Sequence, residues 1–286
     1  MTVTARVAAS LPAPRSVTLG DRGTTAVWDT QTTSTTRTPV LLLHGWNVDA
    51  RLNFESTVPA LSDGRRVVMF DQHGHGKGVR TDSVFELERC ADDAVAVLDA
   101  LDIDDAIIVG YSLGGAVAQL MARARPDRCT GLVLAATADR YLETRWERTQ
   151  FSVLDTGARN MRRLPTRAQK MALRRISAVA CRRYPPWVLD TVRTADPVAL
   201  LEAGAALGRF DSTSWAQTIS RPSAMVVTAE DTVVPPHRQR RLADLIDAAD
   251  VVEIDADHDV PIRNDPRFAD ALVAAVAVVE EHASRT

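Results

Sequence analysis

The chain has 286 residues, of which 45% are hydrophobic and 25% are charged, and its formal net charge is -3. This length can bury a large core, and the composition is that of an ordinary globular protein, which excludes disordered and collagen-like classes. The slightly negative charge, without aromatic residues interleaved among basic ones, argues against a nucleic-acid-binding protein. No stretch approaches the roughly 18 apolar residues that a membrane helix needs, so we expect no membrane segment.

The N-terminal residues and the cysteines indicate in which cellular compartment the protein is found. Residues 1–16 contain two prolines and no apolar core of signal-peptide length, so they are predicted to form a loose N-terminal tail. Cys90, Cys129 and Cys181 are far apart and show no CxxC spacing. Scattered cysteines in odd number are typical of reduced thiols rather than of a disulfide framework. We therefore expect a soluble, cytoplasmic protein.

Short apolar runs alternate with helical patterns along the chain, which is typical of parallel strands joined by helices. The first two strands are predicted in SVTLG and TTAVWDT, on either side of the turn DRG. Further continuous apolar runs follow, of the kind that suits a strand buried on both faces. These runs lie at 38–45, 65–71, 105–112, 129–138, 223–231 and 250–258. We predict an α/β fold with a mostly parallel central sheet and helices on both of its faces.

A helical insertion interrupts this alternation. Apolar residues recur at helical spacing in FELERCADDAVAVLDAL, and GGAVAQLMARARP and PRFADALVAAVAVVEEH are two further predicted helices. Between Asp139 and about Trp215, helical patterns and many arginines occur without a convincing strand. We interpret residues 139–215 as a helical cap, inserted into a core that is made of residues 17–138 and 216–286.

Gly110, Ser112 and Gly114 stand in the spacing G-x-S-x-G where a predicted strand meets a predicted helix. A serine on so tight a turn sits in strained backbone, and side chains at the flanking positions would collide with the neighbouring strand and helix. Glycines remove those collisions and leave the hydroxyl exposed at the carboxyl edge of the sheet. The pentapeptide also occurs by chance, but in this context it predicts that Ser112 is a nucleophile rather than a turn residue.

A serine hydroxyl is a weak nucleophile and needs a general base that a third group orients. His258 directly follows the last predicted strand, so it should emerge at the same edge as Ser112, and we predict that it is the base. Asp231, at the end of the preceding strand, is the predicted acid. Asp139, one strand earlier, is the alternative acid. Asp257 is too close to His258 along the chain to bond its far nitrogen easily.

The remaining parts of the predicted site are an oxyanion hole and a pocket. Negative charge on a tetrahedral intermediate needs preorganised donors. The backbone N–H groups of Leu113, directly after the serine, and of Trp46, after the strand in LLLHGW, are the predicted donors. We expect a largely apolar pocket beside them, although each aromatic in the set could instead only pack the cap onto the sheet. The predicted walls are Trp46, Tyr141, Trp146, Trp187 and Trp215.

Taken in order, these motifs resemble the α/β-hydrolase fold family over the whole chain except the N-terminal tail. LLLHGW resembles the oxyanion loop of that family, FDQHGHGKG its glycine-rich loop, GYSLGG its nucleophile elbow, TAEDTVVPP its acid loop and ADHDVPIRNDP its histidine loop. The chain departs from the family pattern at Asp257, where glycine is common, and at Gln72 to His75, where arginine-glycine-histidine is commoner. Serine at the elbow separates the chain from the dehalogenase and epoxide-hydrolase branches, which use aspartate there.

The resemblance implies a serine hydrolase without metal or cofactor. It would cleave a carboxylic ester or thioester of a small to medium, largely apolar substrate through an acyl-enzyme on Ser112. Acyl transfer, carbon–carbon bond hydrolysis and cofactor-free perhydrolysis use the same triad, so the motifs leave them open. A small-molecule receptor without catalysis is the alternative from a different class of protein.

Charge is distributed unevenly along the chain. Residues 139–193 contain 13 Lys and Arg against 5 Asp and Glu, a balance of +8. Since the net charge of the chain is -3, the other residues together carry a charge of -11. A basic, amphipathic insertion predicts contact with an anionic membrane surface or steering of an anionic substrate. The alternative is an ordinary solvated face of arginines that acidic neighbours on the core neutralise.

Overall fold

The structure is a computed structural model that describes residues 11–31, 36–180 and 186–285. Within these ranges, eight strands form one sheet. They are β1 Arg15–Thr18, β2 Thr24–Asp29, β3 Val40–Leu43, β4 Val67–Phe70, β5 Ala106–Tyr111, β6 Cys129–Ala135, β7 Ser223–Thr228 and β8 Asp250–Ile254. Each of these strands was predicted from the sequence.

The sheet has the strand order β1-β2-β4-β3-β5-β6-β7-β8. β2 pairs antiparallel with both β1 and β4. All other neighbours, from β4 to β8, pair in parallel. The predicted fold class, a mostly parallel α/β sheet, is therefore confirmed.

The start of the sheet corrects one predicted boundary. Arg15 pairs with Val27, and Ser16 pairs with Ala26, in the antiparallel ladder of β1 and β2. These two residues belong to the sheet, so the predicted N-terminal tail of residues 1–16 extends too far. Residues 1–10 of that tail lie outside the described residues.

The central strands are buried on both faces, as their continuous apolar sequences predicted. In β3, Leu41 and Leu43 pack into one hydrophobic cluster, whereas Val40 and Leu42 pack into the cluster on the opposite face. Alternate side chains of a strand point to opposite faces, so a strand between two layers of helices needs apolar residues at every position.

Helices cover both faces of the sheet. α3, α4 and α9 pack on the face of Leu41 and Leu43, and α1, α2 and α10 pack on the other. The short helices α1 and α2, and α9, were not predicted from the sequence. The helices of the core are α1 Ala50–Phe54, α2 Val58–Leu61, α3 Leu87–Ala100, α4 Leu113–Ala124, α9 Pro236–Leu245 and α10 Pro266–Ala283.

The segment between β6 and β7 is helical, as predicted for the insertion. It contains α5 Arg145–Arg162, α6 Thr166–Ala180, α7 Pro186–Thr194 and α8 Pro197–Arg209. Thr144 and Glu147 form a capping box at the start of α5, and Asp196 caps α8 through the N–H groups of Val198 and Ala199. α5 packs along α8, where a Cβ on Gly208 would lie 2.5 Å from Cγ of Phe151.

None of the helices in the described ranges combines the length and the apolar character that a membrane span requires. The parallel strands bring the loops after β3, β5, β7 and β8 to one edge of the sheet. Ligand and catalytic sites of such sheets lie at the carboxyl ends of the strands. Ser112, Asp231 and His258 lie in three of these loops, and Trp46 lies in the fourth.

Candidate active site

Ser112 occupies the sharp turn between β5 and α4. Its backbone has φ 53° and ψ -116°, a conformation that residues with side chains rarely adopt. A Cβ on Gly110 would lie 2.4 Å from the carbonyl oxygen of Gly114, and a Cβ on Gly114 would lie 2.0 Å from that of Leu43. Only glycine fits at either position, which confirms the steric interpretation of the motif.

Two hydroxyl groups hold the backbone of the serine from behind. Thr137 Oγ1 donates a hydrogen bond to the carbonyl oxygen of Ser112 at 2.8 Å, and the Tyr141 hydroxyl lies 2.7 Å from Oγ1 of Thr137 and 3.2 Å from the same carbonyl oxygen. Burial raises the pKa of Tyr141 to about 12, so its hydroxyl stays protonated and can donate. Tyr141 was predicted to line the pocket, but the structure places its hydroxyl against the serine backbone.

His258 lies in the loop after β8 and reaches Ser112. Its Nε2 is 3.0 Å from Oγ of Ser112, and its Nδ1 is 2.7 Å from Oδ2 of Asp231. An ionised carboxylate can only accept a hydrogen bond, so the proton lies on Nδ1 and Nε2 is left to accept from the hydroxyl. The ring of Tyr111 packs beside the imidazole, and its hydroxyl donates to the carbonyl oxygen of His258.

Asp231 is buried, and its two oxygens accept several hydrogen bonds besides the one from His258. The N–H groups of Val233 and Val234 donate to Oδ1, each at 2.8 Å. Thr228 Oγ1 donates to Oδ2 at 2.8 Å, and Gln239 Nε2 lies 3.3 Å from the same oxygen. These donors stabilise a buried carboxylate and fix its orientation toward the imidazole.

The other candidate acids have different partners. Asp139 is buried, but it forms an ion pair with Arg241 at 2.6 Å and accepts a hydrogen bond from Thr213 Oγ1 at 3.0 Å. Asp257 pairs with Arg263 at 2.6 Å. Of the carboxylates considered from the sequence, Asp231 bonds Nδ1 of the imidazole, whereas Asp139 pairs with a guanidinium group.

The loop after β3 is held rigidly beside Ser112. The N–H of Gly45 donates to Oδ1 of Asn53 at 2.8 Å, and the carbonyl oxygen of Gly45 lies 2.8 Å from Nδ1 of His44. Nε2 of His44 accepts from the N–H of Gln72 at 2.9 Å, which leaves Nδ1 as the donor. Burial lowers the pKa of His44 to about 3, so the ring is neutral and this pattern is stable near neutral pH.

Trp46 and Leu113 carry the two backbone N–H groups that the sequence predicted as donors. A Cβ on Gly45, next to Trp46, would lie 3.4 Å from Cβ of Ser112, so the loop directly adjoins the serine. Leu113 is the first residue of α4, where a backbone N–H has no partner within the helix. In the described part of the chain, neither N–H donates to a protein acceptor.

The side chain of Trp46 extends from this loop to the helices between β6 and β7. Its Nε1 donates to the carbonyl oxygen of Leu200 in α8 at 2.7 Å. A Cβ on Gly204 would lie 2.6 Å from Cζ2 of the indole, so this glycine makes room for the ring. Leu173 of α6 belongs to the same small apolar cluster.

Two of the other tryptophans predicted as pocket walls lie elsewhere. Trp146 is 69% exposed on α5, so it does not line an enclosed pocket. Trp215 packs edge-to-face on Phe210 with the ring centroids 6.1 Å apart, under the guanidinium of Arg123. Trp187 lies in α7, but its side chain is outside the described residues, as is all of Cys181.

Several residues of the site were missed in the sequence. Thr137 was not singled out, although a threonine just after β6 has the hydroxyl that the neighbouring serine backbone needs. Val233 and Val234 follow Asp231 at the spacing of an Asx turn, so their N–H groups were predictable partners. Thr228 lies only three residues before Asp231 and was overlooked, whereas Gln239 carried no comparable signal, because its contact with Asp231 depends on how α9 packs against β7.

The serine, the histidine and the aspartate thus lie together at the carboxyl edge of a mostly parallel sheet. The sequence model of the α/β hydrolase fold family matches residues 38–265. The chain therefore belongs to the α/β-hydrolase fold family.

Individual relatives of the chain are named as hydrolases or esterases. The chain is 26% identical over 234 residues to a putative carbamate hydrolase, RutD, from Azorhizobium caulinodans, which covers 76% of this chain and 83% of that one. It is 30% identical over 184 residues to the pimeloyl-[acyl-carrier protein] methyl ester esterase of Sodalis glossinidius, over 63% of this chain and 69% of that one. Several other curated relatives match only over a section, so the chain spans only 27% or 36% of their length.

Solved structures show the same fold. A thermophilic esterase from Thermogutta terrifontis superimposes with a TM-score of 0.72 at 24% identity, over 94% of this chain and all of that one. At this identity the likeness speaks for the fold alone.

Proposed function

We propose that this protein is a serine hydrolase that cleaves a carboxylic ester through an acyl-enzyme on Ser112. The observation that carries the proposal is the pair of hydrogen bonds that join Ser112 to His258 at 3.0 Å and His258 to Asp231 at 2.7 Å. The strained backbone of Ser112 holds its Oγ at the carboxyl edge of the sheet. A hydroxyl, an imidazole and a carboxylate in this order form an activated nucleophile.

In the proposed reaction, Oγ of Ser112 attacks the ester carbonyl carbon while Nε2 of His258 takes the hydroxyl proton. Asp231 stabilises the imidazolium that forms. The carbon–oxygen bond to the alcohol then breaks, and His258 returns the proton to the departing alcohol. Water attacks the acyl-enzyme in the second half, with His258 again taking and returning a proton. The carboxylic acid leaves, and the serine hydroxyl is restored.

The backbone N–H groups of Trp46 and Leu113 are the proposed oxyanion hole. Both belong to segments that are fixed before substrate binds, Leu113 by α4 and Trp46 by the bonds that hold the peptide of Gly45. Each such donor accounts for a factor of about a hundred to a thousand in rate in a known enzyme of this type. Every proposed step uses side chains and N–H groups of this chain, without a metal or a cofactor.

The proposed substrate is small to medium in size and largely apolar. Ser112 is only 7% exposed, and apolar residues of α6 and α8 surround Trp46 beside it. Residues 139–215 act in this proposal as the cap that covers the site. Relatives named as a methyl ester esterase and a putative carbamate hydrolase support cleavage at a carbonyl that bears a heteroatom.

The test is a rapid-mixing assay of purified protein with p-nitrophenyl acetate and p-nitrophenyl butyrate. Formation of an acyl-enzyme predicts a burst of p-nitrophenol equal to the concentration of active sites. Ser112→Ala should lose the burst and lower turnover by as much as about a millionfold, with an unchanged thermal melting curve. Ser214→Ala, in the segment before β7, is the matched control.

Several outcomes would contradict the proposal. A burst that persists in Ser112→Ala would place the nucleophile elsewhere. A wild-type protein that binds ester but releases no p-nitrophenol would be the receptor of the alternative interpretation. Repeating the assay with added acceptor alcohols separates hydrolysis from acyl transfer, because transfer converts the acyl group into a new ester instead of a free acid.

A further inference from the structure

The cap contains a long stretch without any acidic residue. Between Asp155 and Asp190, residues 156–189 contain nine Arg and Lys and no Asp or Glu. Since the net charge of the chain is -3, the rest of the chain carries a charge of -12. The nine cations are Arg159, Arg162, Arg163, Arg167, Lys170, Arg174, Arg175, Arg182 and Arg183. The last two lie outside the described residues.

Most of the described cations in this stretch lack a partner among the described side chains. Arg159 pairs with Asp155 at 2.6 Å, and Arg162 pairs with Glu202 at 2.7 Å. For the other five, no described carboxylate lies within 4.0 Å. The acidic core therefore does not neutralise this part of the cap, contrary to one interpretation of the sequence.

The outward face of α6 mixes these cations with apolar side chains. Leu173 and Ser177 are buried on its inner face. The exposed residues of the outward face recur at intervals of three or four residues, which places them on one side of the helix. They are Arg167, Met171, Arg174, Arg175 and Ala178. Met171 is 53% exposed, and Leu164 and Ile176, at 44% and 57%, lie close to it in the chain.

We propose that this face docks the cap onto an anionic lipid surface. We call it the α6 patch, and its members are Arg163, Leu164, Arg167, Lys170, Met171, Arg174 and Arg175. Unpaired guanidinium groups complement anionic headgroups, and exposed apolar side chains among them gain by entering the boundary between headgroups and acyl chains. The acidic remainder of the chain is repelled by the same surface, so the charge distribution orients the protein with the cap toward the lipid.

Sedimentation with vesicles tests the proposal directly. The intact protein should bind vesicles that contain about one third phosphatidylglycerol, and it should leave vesicles of pure phosphatidylcholine in the supernatant. Binding should weaken as salt rises from about 50 to about 500 mM, where screening becomes strong. Equal binding to both kinds of vesicle, or to neither, would overturn the proposal.

Variants identify the surface. Arg174→Glu with Arg175→Glu should lower the affinity for anionic vesicles at least about thirtyfold, as expected for the loss of two cations near an anionic surface. The matched control is Arg145→Glu with Arg148→Glu on α5, which makes the same change of charge at two exposed arginines that also lack described carboxylate partners. An equal loss in the control would show that total charge, and not the α6 patch, determines binding.

Two further measurements complete the test. Met171→Ser should also weaken binding to anionic vesicles, and wild-type binding by this variant would contradict the apolar part of the proposal. Size-exclusion chromatography of the wild type and of the Arg174/Arg175 variant distinguishes a second copy as the occupant. A dimer that only the variant loses would overturn lipid docking. Unchanged thermal melting of each variant shows that the fold is intact.

Discussion

Nε1 of Trp46 donates a hydrogen bond to the backbone carbonyl oxygen of Leu200, at 2.7 Å. Trp46 follows β3 in the core, whereas Leu200 lies in α8 of the cap. The residue whose backbone N–H we propose for the oxyanion hole is thus held through its side chain by the cap. Gly204, one turn further along α8, admits the indole because a Cβ there would lie 2.6 Å from Cζ2. The position of the cap and that of the oxyanion loop are therefore coupled.

This coupling predicts the effect of Trp46→Phe. Phenylalanine retains most of the apolar contact but cannot donate to Leu200, so the loop loses its link to the cap. We expect kcat to fall about fivefold with little change in KM, because one neutral hydrogen bond contributes about 1 kcal/mol and its loss misplaces a transition-state donor. Steady-state kinetics with p-nitrophenyl butyrate measure both constants.

Trp215→Phe is the matched control for that variant. Trp215 also donates Nε1 to a backbone carbonyl, that of Asp211 at 3.2 Å, but its ring packs on Phe210. Its kinetics should equal those of the wild type. A rise in KM alone for Trp46→Phe would show that Trp46 only contacts substrate and that the coupling is wrong.

The two buried aspartates that competed for the role of acid can be separated by asparagine substitution. Asp231→Asn would present an amide to Nδ1 of His258 and favour the wrong tautomer, a change that lowers kcat about ten-thousandfold in a known triad. Asp139→Asn should leave kcat within about twofold, because Asp139 bonds Arg241 and not the imidazole. The kcat of each variant with the same ester measures the difference.

Stability provides the internal control for this pair. Asp139→Asn removes the charge of a buried carboxylate, but Arg241 is 31% exposed and keeps Glu143 at 2.6 Å. We expect a loss of about 1–3 kcal/mol, so the midpoint of urea unfolding should fall although kcat does not. If Asp139→Asn abolished turnover while Asp231→Asn retained it, the assignment of the acid would be wrong.

The sequence predicted the parts of this fold that repeat a strong local pattern. All eight strands carry continuous or alternating apolar residues, and the positions of Ser112 and His258 follow from the rule that parallel strands end at one edge. The short helices α1 and α2 were missed because one turn of helix has too few residues to show a period.

Side-chain roles that depend on packing between distant elements could not be predicted. Tyr141 and Trp215 are both aromatic residues at the margins of the cap, and no local pattern shows that one contacts the serine backbone while the other packs on Phe210. In contrast, the glycines of the elbow were predictable from the G-x-S-x-G spacing, although only the collision at Gly110 is local to the turn, since a Cβ on Gly114 would meet Leu43 of β3.

Tyr141→Phe tests the corrected role of that residue. The variant loses the hydroxyl that contacts both Thr137 and the carbonyl oxygen of Ser112, so the strained turn is less firmly held, and we expect kcat to fall several-fold. Since these contacts are with the support of the turn, the order of preference among p-nitrophenyl esters of increasing chain length should stay the same. A changed preference with an unchanged kcat for the best ester would return Tyr141 to the pocket wall.

His75 predicts a specific dependence of stability on pH. Its ring is fully buried, Nδ1 bonds the carbonyl oxygen of His73 at 2.8 Å, and Nε2 has no partner among the described residues. Burial lowers the pKa of His75 from 6.5 to about 4. As pH falls from about 6.5 to about 4, the unfolded chain binds a proton that the folded chain excludes, so this histidine makes the free energy of unfolding fall with pH.

The size of this effect follows from the shift of the pKa. His75→Asn retains a donor for the carbonyl oxygen of His73 but cannot titrate. Between pH 7 and pH 4, the wild type should therefore lose about 3 kcal/mol more of its free energy of unfolding than the variant does. Urea unfolding at both pH values measures this difference, and any loss of packing in the variant cancels because it is present at both. Equally steep losses in the two proteins would show that His75 does not exclude a proton in the folded state.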